Sequence, residues 1–467
     1  MNPLRIQIRN VGVALWVGAG VMAQETARPV AHGGLSLSRW AREPMVMDPD
    51  ALAFDDQGVL YVAETARRST VDIDIRSHRD WLVEDLANQS VDDLRLAFHR
   101  WMAPERSLEN APWLPDHNRD GVHDWKDLEG VKERIRRLED VGGTGAASRS
   151  VLVAEGFNEE ISGVVAGVLP WGRDLWVTGY PNLTRLRDLD GDGRAESVET
   201  VFRGFGVHAA FDGHDLHGLT LGPEGKIYFT CGDNGFSVTN REGRLLHHPN
   251  TGGVLRMDPD GSNLEVFATG LRNPQEVAFD EYGNLFAVDN DGDLRDERER
   301  FVYIAEGSDS GWRLHWQFRE PGWSAITQQP DYNPWVDESM WTPHHPGQPA
   351  HITPPLTNYS VGPGSFKFNP GTALNEAYRG HFFLIQFPVQ KVTAFQVNPR
   401  GAGFEMVGEH TVLSGMMASA VNFGPDGALY VADWDGMWAP NNTGSIWRLD
   451  DPVSAASDRR REVQRLL

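Results

Sequence analysis

The stretch Gly213-His-Asp-Leu-His-Gly-Leu-Thr-Leu-Gly-Pro-Glu-Gly-Lys-Ile-Tyr-Phe-Thr-Cys-Gly-Asp-Asn-Gly235 reads as a β-hairpin held between two polar loops. Leu219 and Leu221 alternate with other residues, Gly222 to Gly225 form a tight turn, and Ile227 and Phe229 resume the alternation. A hairpin returns the chain to the end it started from, so the two loops share one end and His214 and His217 fall near Asp233. A histidine beside a carboxylate, on loops carried by a rigid sheet, is the arrangement of a general base with its orienting partner. His214 is the first candidate for that base, His217 the alternative, and Asp233 the partner.

The same pattern of strand, turn and strand recurs along the chain. It stands at Leu52-Ala-Phe-Asp-Asp-Gln-Gly-Val-Leu-Tyr-Val62, at Val277-Ala-Phe-Asp-Glu-Tyr-Gly-Asn-Leu-Phe-Ala-Val288 and at Val421-Asn-Phe-Gly-Pro-Asp-Gly-Ala-Leu-Tyr-Val431. Degenerate copies fit at Val164 to Val177 and Phe366 to Leu384, giving six hairpins. Where nothing is inserted, neighbours lie about 55 to 60 residues apart, which leaves room for four short strands per unit. The expectation is an all-β chain, a six-bladed β-propeller over residues 24–452, with a helical insertion in or after the first blade. The 49 Gly and 28 Pro agree with many short strands and turns.

Two intervals between hairpins are long. Residues 66–150 carry helical patterns at Trp81, Leu82 and Leu86, and at Val91, Leu94, Leu96 and Phe98 behind a capping-box-like Ser90-Val-Asp-Asp93. A third pattern, Leu128 to Leu138, ends in the Gly-rich stretch from Gly142. Residues 311–359, rich in Trp, Pro and His, are expected to form a long ordered loop over one face of the propeller. Residues 453–467 read as a terminal helix or the opening of a further helical region. Residues 1–23, with Arg5 and Arg9 before the apolar run Val11 to Val21, read as a signal peptide and so as export; the run is short for a membrane anchor. The net charge of −23 argues against nucleic acid as a partner and suits divalent cations. Cys231 is the single cysteine, which excludes an internal disulfide, and no CxxCH motif for haem attachment is present.

Two acidic loops carry a cation signature. Asp188-Leu-Asp190-Gly-Asp192-Gly-Arg-Ala-Glu196-Ser-Val-Glu199 matches D-x-[DN]-x-[DN]-G-x5-E, with hard oxygen ligands at alternate positions, so calcium is the expected ion. Asp116-His-Asn118-Arg-Asp120-Gly-Val-His-Asp124-Trp-Lys-Asp127 repeats it with Asp at the last place. A third acidic run, Asp289 to Glu297, lacks the turn glycine but follows the second strand of its hairpin as Asp233 does. Arg272-Asn273-Pro-Gln275 enters the same face, where Arg and Asn could hold a carboxylate or a quinone oxygen by paired donors.

These residues resemble the soluble quinoprotein glucose and sorbosone dehydrogenases, six-bladed propellers that use pyrroloquinoline quinone (PQQ) and calcium. The likeness runs from about Asp48 to Asp450 and is concentrated in three motifs: His214 through Gly232-Asp233, Arg272-Asn273-Pro-Gln275, and Gly307-Ser-Asp-Ser-Gly-Trp312. The whole chain also resembles the membrane-bound-dehydrogenase type proteins of planctomycete-like bacteria. The resemblance implies a sugar-like substrate, His214 as base oriented by Asp233, and Arg272, Asn273, Gln275 and Lys391 as cofactor contacts. It further implies electron transfer to a separate cytochrome or other acceptor. Basic residues expected from the last two blades are missing: Gln386-Phe-Pro-Val-Gln390 and Ser414-Gly-Met-Met-Ala-Ser419 stand there, and Lys391 is slightly displaced.

Two other readings fit the same pattern. A non-redox propeller could bind carbohydrate or protein through Trp312, Trp316, Trp335 and Trp341 as stacking platforms. A calcium-dependent hydrolase or lactonase would need Asn234, Asn273, Asp289 and Asp433 to converge.

Overall fold

Each of the six hairpins forms the innermost pair of strands in a four-stranded antiparallel unit, so the repeat read from the sequence is the blade of the propeller. The computed structural model describes residues 29–290, 292–319, 323–328, 332–342, 344–345, 355–359, 362–401, 403–436 and 439–466. The signal-peptide reading of residues 1–23 lies outside these. Blade 1 comprises Pro49–Phe54, Leu60–Glu64, Glu133–Glu139 and Arg149–Gly156, and blade 2 Gly167–Trp171, Asp174–Gly179, Asn182–Arg187 and Ser197–Arg203. Blade 3 comprises Leu216–Leu221, Ile227–Cys231, Gly252–Met257 and Glu265–Leu271, and blade 4 Pro274–Phe279, Leu285–Asp289, Glu299–Ile304 and Thr357–Tyr359. Blade 5 is Pro363–Phe368, Phe382–Gln386, Lys391–Arg400 and Gly403–Ser414, with Val30–Ala31 added at its rim. Blade 6 takes Ala418–Phe423, Leu429–Asp433 and Ser445–Asp450 from the end of the chain and its outermost strand, Ser36–Arg42, from the beginning.

The innermost strands touch their neighbours in a closed ring, blade 6 returning to blade 1. Closure packs the faces of neighbouring blades against one another, and apolar layers fill the gaps between blades. Phe286, Phe301, Phe366, Phe382 and Phe395 form one such layer between blades 4 and 5. Cys231 is a buried member of the layer around Phe229, where it meets the Tyr180 hydroxyl at 3.3 Å, and burial pushes its thiol up to about 12.

The insertion lies inside blade 1, between Glu64 and Glu133. Its main helix, Val91–Trp101, is capped by Ser90, whose hydroxyl accepts from the Asp93 amide at 3.2 Å, and it buries Val91, Leu94, Phe98 and Trp101 on one face. Leu96 points to solvent. The third helical pattern is corrected: Trp125–Gly130 is a 3-10 turn, and Glu133–Glu139 is the third strand of blade 1. Ile135 faces the apolar layer toward blade 2 and Leu138 the layer toward blade 6, the opposite faces that a spacing of three gives in a strand. The Gly-rich stretch from Gly142 then joins two paired strands and links no domains.

The described part of residues 311–359 forms short helices at Leu314–Gln317, Ser324–Thr327 and Pro334–Asp337. Leu314 and Phe318 pack into the same core as Trp81, Leu94 and Phe98, so this segment and the insertion make one cover. The terminal helix Asp458–Leu466 is docked by buried Arg460, which pairs with Asp450 at 2.7 Å and donates to the Leu374 carbonyl. Among the described residues no helix is long and apolar enough to cross a membrane.

Candidate active site

The site grows out of a rule the blades share. Glu64, Asp289 and Asp433 end the second strands of blades 1, 4 and 6, and each accepts an amide N–H from the segment that enters the blade: Met47, Arg272 with Asn273, and Met417. Each is also held from the third strand, by Arg136, Arg300 and Trp447. A carboxylate so bound is a structural pin. Blade 3 departs from the rule. Cys231 stands at that strand end, and the carboxylate comes two residues later, at Asp233.

Asp233 binds side chains instead. Its Oδ1 lies 2.6 Å from His214 Nδ1, and its Oδ2 accepts from Trp312 Nε1 at 2.7 Å. With Nδ1–H donated to the carboxylate, the free lone pair of the imidazole sits on Nε2, which has no hydrogen-bond partner among the described residues. His214 lines a central cavity of about 510 Å³. Burial, then the nearby Arg272 guanidinium, hold its pKa below the ordinary histidine value, while Asp233 pulls the other way. The imidazole is therefore neutral at neutral pH and able to accept a proton.

The alternative base is corrected. His217 is buried and outside the cavity lining; its Nε2 sits 3.1 Å from Asn273 Oδ1, and burial drives its pKa to about 3. Asn273 also donates to the Gly213 carbonyl at 3.1 Å, tying blade 4 to the loop of His214. Arg272 is buried, and its carbonyl accepts the Asp233 amide at 2.7 Å. Its guanidinium reaches Gln317, Asn290 and Asp293 at 3.2, 3.3 and 3.4 Å.

The insertion fastens the loop that carries His214. Asp85 accepts from the amides of Ala209 at 2.8 Å and Ala210 at 3.2 Å, and its carbonyl meets His208 Nδ1 at 2.7 Å. Asp72 accepts from the Gly213 amide at 3.1 Å, and the Ile75 amide donates to the Ala210 carbonyl at 2.8 Å. Arg76 lies over Phe211, 4.6 Å from its centroid, and Phe211 meets the His214 ring edge-on.

Arg272, Asn273 and Gln275 all border the cavity. So do Asp50, Arg68, Arg76 and Asp212, which the sequence reading passed over. A signal for Arg68 existed: it follows the second strand of its hairpin, as Asp233 does in blade 3. Blades 5 and 6 contribute Pro363, Phe387, Pro388, Ser419 and Trp434. Lys391 is corrected: it is exposed at the start of a strand, paired with Gln386 and Ser414, and does not line the cavity. Three of the four stacking platforms are corrected as well. Trp312, Trp335 and Trp341 are buried against one another in the cover, where their area stabilises the fold and cannot meet a sugar. Of the four calcium ligands a hydrolase would need, Asn273 borders the cavity, while Asp289 and Asp433 pin strands outside its lining and Asn234 bonds the Phe211 carbonyl.

Away from the cavity, the loop at the rim of blade 2 brings ligand atoms of Asp188, Asp190, Asp192 and Glu196 within 4.8 Å of one another. Glu199 is corrected: it lies in the strand Ser197–Arg203, where register sets it opposite Arg185 and it pairs with that residue at 2.6 Å. In the second loop, Asp116 accepts from the amides of Asp120 and Gly121, and Asp127 from those of Asn118 and Asp124. Asp124 turns away to cap the following 3-10 turn through the Lys126 amide.

Among solved structures, the chain is similar to an oxidoreductase described as a glucose dehydrogenase from Thermus thermophilus. The two are 18% identical, with 89% of this chain and 100% of that one covered and a TM-score of 0.51. The holo form of the PQQ domain of a pyranose dehydrogenase from Coprinopsis cinerea covers 91% of this chain and 97% of its own, at 12% identity and a TM-score of 0.50. The calcium structure of a Trichoderma reesei carbohydrate-active enzyme of family AA12 covers the same shares at 12% identity and a TM-score of 0.52. At these identities the likeness is one of fold. A comparison with curated proteins finds no match by sequence. The family model described as DUF7133, a domain of unknown function, matches residues 24–438, and the chain belongs to that family.

Proposed function

We propose that this protein is a quinoprotein-like oxidoreductase that oxidises a sugar, or a sugar-derived alcohol or aldehyde, and passes the electrons to a separate acceptor such as a cytochrome. We place it outside the cytoplasm, as residues 1–23 read. One observation carries the proposal: a neutral His214, oriented by Asp233, whose Nε2 has no partner among the described residues and whose ring borders a cavity shared with Arg272, Asn273 and Gln275. Fold neighbours described as a glucose dehydrogenase and as a pyranose dehydrogenase PQQ domain support the same class.

The donor set suits PQQ, a planar ring system with several carboxylates. Arg68, Arg76 and Arg272 border one cavity, and Phe387, Pro388 and Trp434 add apolar surface to it. Arg272, Asn273 and Gln275 would hold the group. When bound, PQQ would supply a two-electron acceptor for the hydride leaving a hydroxyl-bearing carbon. This chain's part is proton chemistry. His214 Nε2 takes the hydroxyl proton, the Nδ1–H bond to Asp233 stabilises the imidazolium that results, and Trp312 keeps Asp233 in line by binding its second oxygen. Calcium, if taken up, is expected at the blade 2 rim loop, where its role is structural.

The test is calorimetric titration of the chelator-treated protein with PQQ, with and without calcium, followed by dye reduction with a panel of aldoses. Binding that His214→Ala leaves intact, together with loss of dye reduction, is the expected result. No binding at high PQQ concentration would sink the proposal.

A further inference from the structure

We propose that Arg68 is a carboxylate-binding residue of the central cavity, carried by the blade 1 insertion to receive an acidic group of the ligand. The contrast with its neighbour carries the inference. Arg67 is fully buried, and its guanidinium donates to the carbonyls of Leu128, Val131 and Ser162 at 2.5, 2.9 and 2.8 Å. Its amide, with that of Ala66, donates to Glu133. Arg67 is a pin. Arg68 borders the cavity, and its guanidinium has no hydrogen-bond acceptor among the described residues.

The position of that idle group is defined. It lies against Gly213, where a Cβ would collide with it, so it stands one residue from the base. Gly213 has φ +73, and Ser69, which also lines the cavity, has φ +56, so the chain turns sharply on both sides of the guanidinium. A guanidinium presents its N–H donors in a planar fork that matches a carboxylate, and leaving them unmade in a sheltered cavity is unfavourable. Among the described residues the far blades offer the cavity no basic group; Phe387, Pro388, Ser419 and Trp434 stand on that side.

Four acids surround Arg68 and support its charge through space: Asp50 of blade 1, Asp72 of the insertion, and Asp212 and Asp215 beside His214. Burial raises Asp50 to about 6 and, with Asp212 adding to it, Asp72 to about 7; burial raises Asp212 and Asp215 as well. The other charged or titratable groups close to this cluster are Arg67, Asp74, Arg76, Tyr180, His214 and His217. Asp72 gains its proton as the pH falls through about 7 and Asp50 through about 6, while the guanidinium stays charged. An acidic ligand therefore binds more tightly at pH 5.5 than at pH 8, with proton uptake.

A carboxylate could come from PQQ or from a sugar acid. The first source rests on the dehydrogenase reading; the subsite itself does not. The experiment is calorimetric titration of the full chain, Arg68→Met and Arg68→Lys with PQQ and separately with glucuronate, with glucose as the neutral control. Arg68→Met is expected to weaken one acid on the order of 30-fold, about one charge-assisted pair, and to leave glucose unchanged. Arg68→Lys, which keeps the charge and loses the fork, is expected to fall between. Loss with PQQ assigns the subsite to the cofactor; loss with glucuronate alone assigns it to the substrate. Arg68→Met or, should it misfold, Arg68→Lys binding both acids within about threefold of the parent would overturn the proposal, as would a parent that binds neither acid. If PQQ fails to bind while glucuronate binds through Arg68, the cofactor reading falls and the subsite stands.

Discussion

Asp85→Ala removes the acceptor for two buried amides and so tests whether the insertion builds the active-site loop. In the protein, the carboxylate accepts from Ala209 and Ala210 at 2.8 and 3.2 Å in a fully buried setting. A hydrogen bond to a charged acceptor contributes about 1.5–3 kcal/mol, so the pair supplies about 3–6 kcal/mol locally. Burial of the charge opposes this and is the first reason the Asp85 carboxyl sits above the ordinary range. Removing the side chain also removes that penalty, leaving a net local loss of about 2–4 kcal/mol. At about 1.4 kcal/mol per tenfold, protection of these two amides should fall roughly 30- to 700-fold. Hydrogen exchange read by mass spectrometry over residues 205–214 measures it directly, with blade 5 peptides as an internal control. If the variant remains folded and the loop keeps its protection within about threefold, the clamp argument is wrong.

Asp233→Asn removes the charge that raises the His214 pKa and leaves burial and Arg272, which lower it, unopposed. The acid limb of the pH–rate profile, already below the ordinary histidine value, should move lower still, and the rate should fall about 100-fold or more as the tautomer is lost. An acid limb that stays in place would show that His214 is not the titrating group. For the rim loop of blade 2, Asp190→Ala should abolish any calcium-dependent rise in thermal stability. Glu199→Ala, whose carboxylate pairs with Arg185, should leave calcium affinity within about threefold. Equal losses in the two variants would restore Glu199 as a ligand.

The fold was legible because a blade's inner hairpin is a local object. Alternation, a turn of fixed length and a return strand set its register within about a dozen residues, and six copies imply radial stacking. The same locality placed His214 on Asp233, since both flank one hairpin. The pattern failed at Leu128 to Leu138, where Ile135 and Leu138 sit in a strand and bury on opposite faces, and at Lys391, which opens the third strand of blade 5 outside the cavity lining. Residue type misled for the tryptophans. Aromatic area in a long loop serves a ligand or a core equally well, and packing put Trp312, Trp335 and Trp341 in the core.

The sequence by itself determined six blades, one histidine–carboxylate pair and the two acidic loops, because each rests on contacts between residues close in the chain. Tertiary structure alone decided that Trp312 binds Asp233 from 79 residues away, that Asp85 and Asp72 fasten the loop of His214, and that Arg68 reaches the cavity. Those contacts join segments whose patterns carry no shared register. Only the docking of the insertion and of the segment from Gly311 onto the closed ring brings them together, and that docking is governed by shape and burial over the whole cover.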